Sequence, residues 1–256
     1  KIQKPLLVLA FCSGQLDHDS FYDGLRSIVG DEPPIVGGSA VGVITNDYLS
    51  YDGYAAGAAI FESESLKYEV ASVGNLDKDE LTAGRKLAEK LSNDINARFM
   101  LLFYDSVKMS PNETRPPVMN ASPPLISGIE HALASTIPII GAGMVGDHGF
   151  GPTKQFCGSY VGSQTVVGML FGGEIQPHCT IMHGCTPLDG IYHRISRIEG
   201  PVIHEIDGKP AASIIDDIYG NQDWRLQMPV KRLTIGVNLG ERFGTYNENQ
   251  YINRLI

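Results

Sequence analysis

The chain has 256 residues, a formal net charge of −9 and a sequence pI near 5.2, and this length suits one large domain or two closely joined ones. The acidic balance argues against a nucleic-acid partner, because neutralising phosphates requires clustered Lys and Arg. No apolar run reaches transmembrane length, and four cysteines are too few for a disulfide framework in a chain this long. We therefore expect a cytoplasmic protein with free thiols that binds neither membrane nor nucleic acid.

The first elements alternate between strand and helix. Residues 6–12 are a continuous apolar run of strand length. Asp17 or Asp19 can cap the helix that follows, whose apolar positions keep helical spacing up to Gly30. A second buried strand opens at Pro34 and ends in a glycine-rich segment, residues 37–42, which we call the first crease.

Two antiparallel strands, paired as a hairpin, are predicted at residues 55–62 and 67–73. The small side chains at residues 55–59 indicate that a bulky neighbour packs against the first of them. Residues 77–96 carry the clearest amphipathic helical pattern of the chain.

The beginning of the chain then recurs. Three positions of the first crease region match three later ones at a constant offset of 104: Pro34, Gly37 and Gly42 match Pro138, Gly141 and Gly146. The flanking stretches recur at offsets that change only between elements, as insertions in surface loops would produce. Internal repeats at about residues 5–75 and 98–185 predict a pseudo-twofold, with residues 141–146 as the second crease.

The remaining segments are shorter. Residues 107–122 predict a proline-rich loop, either a lid or a plain insertion, and residues 178–183 predict the last strand of the second copy. Residues 192–198 and 201–206 predict a hairpin, residues 211–219 a helix closed by Gly220, and residues 233–239 one further strand. The apolar segment 251–256 leads us to expect that the natural protein continues.

This order of elements predicts a mixed α/β fold. Two repeated strand-helix-strand-hairpin units would form mixed sheets that stack as α-β-β-α layers. We assign residues 1–220, including the hairpin and helix at 190–220, to one domain. Residues 221–256 are then the start of a C-terminal extension.

Gly141, Gly143 and Gly146 fit the dinucleotide-binding pattern G-x-G-x-x-G after a strand. The residues that follow, Asp-His-Gly-Phe-Gly-Pro, cannot open the helix whose N-terminus would hold a pyrophosphate. No acidic residue lies about 20 positions further on to bind a ribose. We therefore predict no NAD and no other cofactor.

Cys179, His183 and Cys185 have the same parity, so they would face one way if the strand predicted at residues 178–183 stayed extended to Cys185. Four strand residues span roughly 13 Å, so Cys179 and His183 cannot reach one zinc ion, and two ligands are too few. His183 and Cys185 lie about 6.6 Å apart on a strand, beyond hydrogen-bond reach of a nucleophile and its base. We predict no metal site and no catalytic residue here.

The two creases offer a better site. Glycine-rich backbone leaves amides reachable, and amides suit carboxylate or phosphate ligands. Two creases on a pseudo-twofold could line one pocket between the halves, with Asp147-His148 either presented to the ligand or forming an Asx-type turn. The predicted ligand-binding residues are Gly37, Gly38, Ser39, Gly141, Gly143, Asp147, His148 and His183.

Several motifs together resemble the N-terminal part of the FIST sensory domain family. They are Pro-Ile-Val-Gly-Gly-Ser-Ala-Val-Gly at 34–42, Tyr-Asp-Gly-Tyr-Ala-Ala-Gly-Ala-Ala at 51–59, His-Gly-Cys-Thr-Pro at 183–187, His-Arg-Ile-Ser-Arg-Ile-Glu-Gly at 193–200 and Glu-Ile-Asp-Gly-Lys-Pro-Ala at 205–211. The resemblance implies a signal-input domain that binds small ligands such as amino acids. It also implies a signalling module joined to it or encoded with it: a histidine kinase, a cyclic-dinucleotide enzyme or a chemotaxis receptor.

The function we predict is ligand sensing without chemistry, in which binding shifts a conformational equilibrium. Two alternatives stay open. One is a small-molecule hydrolase or transferase that uses the crease amides as an oxyanion hole, with His183, His148 or Cys185 as base or nucleophile. The other is a dimerisation scaffold that binds no ligand and exposes an apolar face.

Overall fold

The computed structural model describes residues 4–51, 53–91, 95–180, 182–199, 202–227, 230 and 233–254. The chain divides into two compact units, residues 1–178 and residues 179–256. The predicted domain of residues 1–220 therefore contains the whole first unit and part of the second, and its boundary at residue 220 stays a prediction. None of the described helices combines the length and apolar character needed to cross a membrane.

The described residues of the first unit form three helices and most of the strands. In chain order they are β1 (Leu7–Ser13), α1 (His18–Val29), β2 (Ile35–Ala40), β3 (Val43–Ile44), β4 (Leu49–Ser50), β5 (Ala56–Phe61), β6 (Leu66–Val73), α2 (Glu80–Lys90), β7 (Phe99–Asp105), β8 (Val107–Met109), β9 (Val118–Met119), α3 (Ser122–Ala132), β10 (Ile139–Met144), β11 (Gln155–Gly158), β12 (Tyr160–Gly162) and β13 (Val166–Gly173).

Two mixed sheets form the centre of this unit. The first has the order β12-β11-β2-β1-β5 and the second the order β10-β7-β13-β6. In the first sheet β1 runs parallel to β2 and antiparallel to β5. In the second sheet β7 runs parallel to β10 and antiparallel to β13. Each sheet thus contains a parallel pair, joined by α1 or α3, beside an antiparallel strand.

The core consists of three clusters of buried side chains. One lies between the two sheets, one between the first sheet and α1, and one between the second sheet and helices α2 and α3. Val8, Ala10 and Cys12 of β1 point to α1, whereas Leu7, in the alternate phase, packs between the two sheets. On the outer face of the second sheet, α2 and α3 cover a cluster that includes Met100. The predicted mixed α/β fold with α-β-β-α layers is confirmed.

Capping residues and backbone conformation set the ends of helices α1 and α2. The Asp17 side chain accepts a hydrogen bond from the Ser20 amide and caps α1, which ends at Gly30 as predicted. Helix α2 is shorter than the predicted 77–96, because Asp79 caps it and Leu91 already has extended backbone. Residues 92–94 lie outside the described part of the chain.

The predicted hairpin of residues 55–62 and 67–73 is wrong in its pairing. Strand β5 pairs with β1 in the first sheet, whereas β6 pairs with β13 along eight residues of the second sheet. Strands β11 and β12, which belong to the second half of the unit, join the first sheet beside β2. Each sheet is therefore completed by strands from the other half of the unit.

Two further segments differ from the sequence interpretation. The predicted loop at residues 107–122 contains the short antiparallel pair β8–β9. The predicted strand at residues 178–183 is absent from the described residues of that segment, where no neighbouring strand pairs with them. Residue 181 lies outside the description.

The described residues of the second unit form a small sheet β14-β15-β16, one helix and a separate β-pair. Its elements are β14 (Ile195–Glu199), β15 (Val202–Ile206), β16 (Lys209–Pro210), α4 (Ala211–Tyr219), β17 (Ile235–Asn238) and β18 (Tyr251–Arg254), with 3-10 turns at Asp223–Leu226 and Glu248–Gln250. The predicted hairpin β14–β15 and the predicted helix at 211–219 are confirmed, and Gly220 closes α4 in the left-handed conformation.

Helices α2 and α3 approach each other through a pair of glycines. A Cβ atom added at Gly84 would lie 2.2 Å from the Leu125 carbonyl oxygen, and one added at Gly128 would lie 2.1 Å from the Leu81 carbonyl oxygen. Only glycine leaves room for two helix backbones at this distance. The predicted repeat, at the same offset of 104, matches Gly128 to Gly24 of α1, where an added Cβ would meet nothing within 4 Å.

We therefore predict opposite effects for two alanine substitutions. Gly24→Ala should raise the free energy of unfolding by about 0.5–1 kcal/mol, the usual gain in a helix interior. Gly128→Ala should lower it by about 1–3 kcal/mol, because the new methyl group overpacks the helix contact. Urea unfolding followed by circular dichroism measures both, and a change of the same sign in the two variants would contradict the close approach.

Candidate functional site

The end of the second crease meets the segment after β1 at a contact between glycine backbones, close to Ser39 of the first crease. The Gly14 amide, just after β1, donates a hydrogen bond of 2.7 Å to the Gly146 carbonyl oxygen at the end of the second crease. A Cβ atom on either glycine would lie 2.8 Å from backbone atoms of the other, and one on Gly146 would lie 3.6 Å from the Ser39 Cβ. We call Gly14, Ser39, Gly146 and the adjoining His18 the crease junction.

Ser39 is held in a buried hydrogen-bond network. Its Oγ lies 2.7 Å from Nε2 of His18 and accepts from the Lys154 amide at 2.8 Å, while the Ser39 amide donates to the Lys154 carbonyl oxygen at 2.9 Å. Burial, and next the Lys154 cation, lower the pKa of His18, which keeps its imidazole neutral. A neutral Nε2 can accept the single Ser39 hydroxyl proton.

This Ser–His pair has the atoms of a nucleophile and its base but not the access. Ser39 is 1% exposed and His18 8% exposed, so a substrate carbonyl has no path to the hydroxyl. The pair joins the first turn of α1 to the end of β2. The sequence interpretation missed His18, although its place beside the cap residue Asp17, just after β1, puts it where helix and strand ends meet.

Gly37 and Gly38 lie inside the first sheet. Their φ angles are 140° and 138°, and added Cβ atoms would lie 2.0 Å from the Ala10 carbonyl oxygen and 2.1 Å from that of Lys154. Strand β2 pairs with β1 on one side and β11 on the other, so the sheet occupies the backbone groups of these glycines. Their conformation serves close strand packing.

Gly141 and Gly143 lie on an open sheet edge. Strand β10 pairs only with β7 in the described part of the chain. The carbonyl oxygens of Pro138 and Met144 accept hydrogen bonds from β7 and from Ser106 just after it, so the alternate residues Gly141 and Gly143 direct their amides away from β7. Both glycines are exposed. The second crease therefore offers reachable donors, as the sequence interpretation expected.

Two hydroxyl groups stand beside this edge. A Cβ atom added at Gly143 would lie 1.8 Å from Ser106 Oγ and 2.8 Å from Tyr104 Oη. The intervening Asp105 anchors them: its carboxylate is buried and accepts from the amides of Val107 at 3.0 Å and Gln164 at 2.9 Å. Burial raises the pKa of Asp105 despite these bonds. We call Tyr104, Ser106, Gly141 and Gly143 the β10 edge site.

Asp147 and His148 follow the second crease. Asp147 Oδ1 accepts from the amides of Gly149 at 2.9 Å and Gly151 at 3.2 Å, which is the Asx-type turn. The His148 side chain is exposed and makes no hydrogen bond or ion pair with the residues that the structure describes. Asp147 thus shapes the loop, and His148 is free to contact a ligand.

The His183 imidazole contacts the backbone amide of Cys185 rather than its thiol. His183 belongs to the second unit, where its Nδ1 accepts from the Cys185 amide at 3.0 Å and the Cys185 thiol contacts the His183 carbonyl oxygen at 3.5 Å. Burial raises the pKa of Cys12 to about 12 and also raises that of Cys157. A search of the described residues finds no group of three or more His, Cys, Asp and Glu side chains arranged to hold a metal ion.

Comparison with known proteins gives two findings. A family model described as the FIST N domain matches residues 6–209. An uncharacterized protein of Methanocaldococcus jannaschii is 26% identical over an alignment of 218 residues, which covers 80% of this chain and 39% of that protein. The chain thus spans about two fifths of the length of this relative.

The buried His18 predicts a pH-dependent stability. Its folded pKa is lowered, so below the unfolded value of about 6.5 the unfolded chain binds a proton that the folded chain does not. Stability should be full above pH 6.5 and fall as the pH drops toward the folded pKa. In urea unfolding between pH 7.5 and 5, His18→Gln should flatten this fall.

The exposed His131 on α3, which among the described residues is hydrogen-bonded to Ser127 one turn earlier, supplies the control. His131→Gln should keep the pH dependence of the original chain. If His18→Gln also keeps it unchanged, His18 is not the group that titrates.

Proposed function

This chain belongs to the FIST N domain family, and from that membership we propose that it is a sensory input domain that binds a small ligand. An attached or partner signalling module, such as a histidine kinase, a cyclic-dinucleotide enzyme or a chemotaxis receptor, would read out the binding. The ligand must bind two conformations with different affinity for a signal to result.

The observation that carries the proposal is the open β10 edge. The unpaired amides of Gly141 and Gly143 and the hydroxyl of the half-buried Tyr104 supply several donors within one small area, beside the buried Ser106. They lie toward the carboxyl ends of a parallel pair, where ligands commonly bind in open α/β sheets. Uncharged donors of this kind suit a carboxylate, so the ligand we propose is an amino acid or a similar small carboxylate.

A duplication would explain why one crease is open and the other closed. The β1–β2–β5 and β7–β10–β13 groups have the same strand directions, which supports the repeat proposed from the sequence. At β2 the outer edge is covered by β11, residues Gln155–Gly158. At β10 the described residues leave the corresponding edge uncovered. The chain would then fill one of two related sites itself and leave the other for a ligand.

The loop after β10 is a natural element for transmitting the binding. It carries the exposed His148 and returns through Lys154 to Ser39 at the crease junction. A ligand held at Gly143 and His148 would bias the position of this loop. The crease junction then couples that bias to the first turn of α1 through His18.

The scaffold alternative also has an observation in its favour. Hairpin β3–β4 and the segment after it expose large apolar side chains, with Ile44 80%, Leu49 62% and Tyr54 71% accessible. A surface of this kind favours association. It is compatible with ligand sensing, because a sensor must also contact the module that reads it.

The ligand proposal is tested by thermal-shift measurements against amino acids and other small carboxylates. A ligand at 100 times its dissociation constant should add about 2.7 kcal/mol and raise the melting temperature clearly. Tyr104→Phe should weaken that ligand by about tenfold or more, because a hydrogen bond to a charged group is worth about 1.5–3 kcal/mol.

Two controls separate binding from folding. Tyr219→Phe removes a hydroxyl from α4 of the second unit and should leave the shift unchanged. His148→Ala removes an exposed side chain and should weaken the ligand without changing the melting temperature of the free protein. Binding at the β10 edge would be refuted if a ligand raises the melting temperature of Tyr104→Phe and of His148→Ala as much as that of the original chain. It would also be refuted if no compound of the panel raises the melting temperature of the original chain.

A further inference from the structure

The second unit contains an open groove of about 600 Å³, a size typical of small-molecule sites. We call it the arginine groove. Its lining comes from three separate stretches: the segment before β14, the turn after β15 and the segment from the end of β17. The polar lining residues are Tyr192, His193, Arg194, Asp207, Asn238 and Arg242.

The two arginines of the groove lack anionic partners. The Arg194 guanidinium makes no hydrogen bond or ion pair with any residue in the described part of the chain. Arg242 lies over the rings of Tyr192 and Phe243, 5.1 Å and 5.4 Å from their centroids, and likewise has no carboxylate within the described residues. By contrast, Arg197 pairs with Glu205 at 3.1 Å.

The one carboxylate of the groove is already engaged. Asp207 accepts from the Arg194 amide at 2.8 Å and lies 2.7 Å from Nδ1 of His193. The Arg194 amide, and next His193, hold the pKa of Asp207 below its usual value. Asp207 therefore fixes the backbone and the imidazole, and two guanidinium charges against one carboxylate leave the lining with net positive charge.

The aromatic wall is also fixed. Asn238 Nδ2 donates to the Tyr192 hydroxyl at 2.5 Å, and that hydroxyl lies 3.3 Å from the hydroxyl of Tyr251. The Tyr192 ring in turn makes a cation–π contact with the Arg242 guanidinium. A planar guanidinium with its donors free is the group that binds carboxylate and phosphate oxygens in a bidentate manner.

We propose that the arginine groove binds a small molecule through a carboxylate or phosphate group, which Arg194 and Arg242 hold from two sides. This site lies wholly in the second unit and does not depend on the β10 edge site, so it goes beyond the function proposed above. Tyr192 would pack against the body of the ligand, and Asn238 and His193 would complete the polar lining.

The test is calorimetric titration of the whole chain with inorganic phosphate and, separately, with succinate, at low ionic strength and against sodium chloride of matched ionic strength. At least one of the two anions should bind saturably. Phosphate alone would identify a phosphate ligand, succinate alone a carboxylate ligand, and both would identify a general oxyanion site. Failure of both to bind beyond the chloride baseline overturns the proposal.

Variants locate the site. Arg194→Gln and Arg242→Gln should each weaken the bound anion about tenfold or more, whereas Arg197→Gln, which removes a paired arginine of the same unit, should leave it unchanged. If Arg242→Gln disturbs the packing on Tyr192, Arg194→Gln decides, because its guanidinium has no partner to lose. If Arg197→Gln weakens anion binding as much as Arg194→Gln does, the loss would follow from the change in net charge alone, and the proposed site would be overturned.

One more pair of measurements separates this proposal from the ligand site of the first unit. Tyr104→Phe should leave phosphate or succinate binding in the arginine groove unchanged. Arg194→Gln should leave any ligand of the β10 edge site unchanged. Loss of anion binding in Tyr104→Phe would place the anion at the β10 edge and refute the groove.

Discussion

The ladder between β6 and β13 is the interaction on which the rest of the first unit depends. It pairs eight residues of each strand, and seven of the eight β13 residues are buried. Because β6 belongs to the first half of the unit, this ladder ties that half into the second sheet, as β11 ties the second half into the first. The inner faces of the two sheets then close on a shared core that includes Leu7 and Phe171.

The position of the candidate site follows from this exchange. With the sheets packed face to face, the loop after β1 reaches the end of the second crease, where Gly14 and Gly146 touch. The same exchange makes the two creases unequal, since β11 covers β2 whereas β10 stays at an edge. Similar glycine-rich sequences therefore have different roles: those of β2 allow close strand packing, and those of β10 present free amides.

The sequence predicted what local physics decides. Asp17, Gly30 and Gly220 mark helix ends through capping and left-handed backbone, and the continuous apolar run at residues 6–12 predicted a strand buried between layers. Pairing was harder to predict, because the period of a strand such as β6 shows that it pairs but not with which neighbour. The arginine groove could not be predicted from the sequence for a similar reason. Its lining residues are separated by up to about fifty positions and become neighbours only on folding. His18 could have been identified from the sequence, because it is a polar residue in the first turn of the helix that follows β1.

The crossing strands also constrain how the chain is made on the ribosome. Strand β6 ends at Val73, whereas its partner β13 begins only at Val166. At synthesis rates of about 5–20 residues per second, roughly 5–20 s pass before the partner exists. During that interval β6, and β2 with its β11 edge unfilled, present unpaired backbone to the surroundings. The nascent chain thus carries exposed strand edges for seconds, until the second half of the unit has emerged.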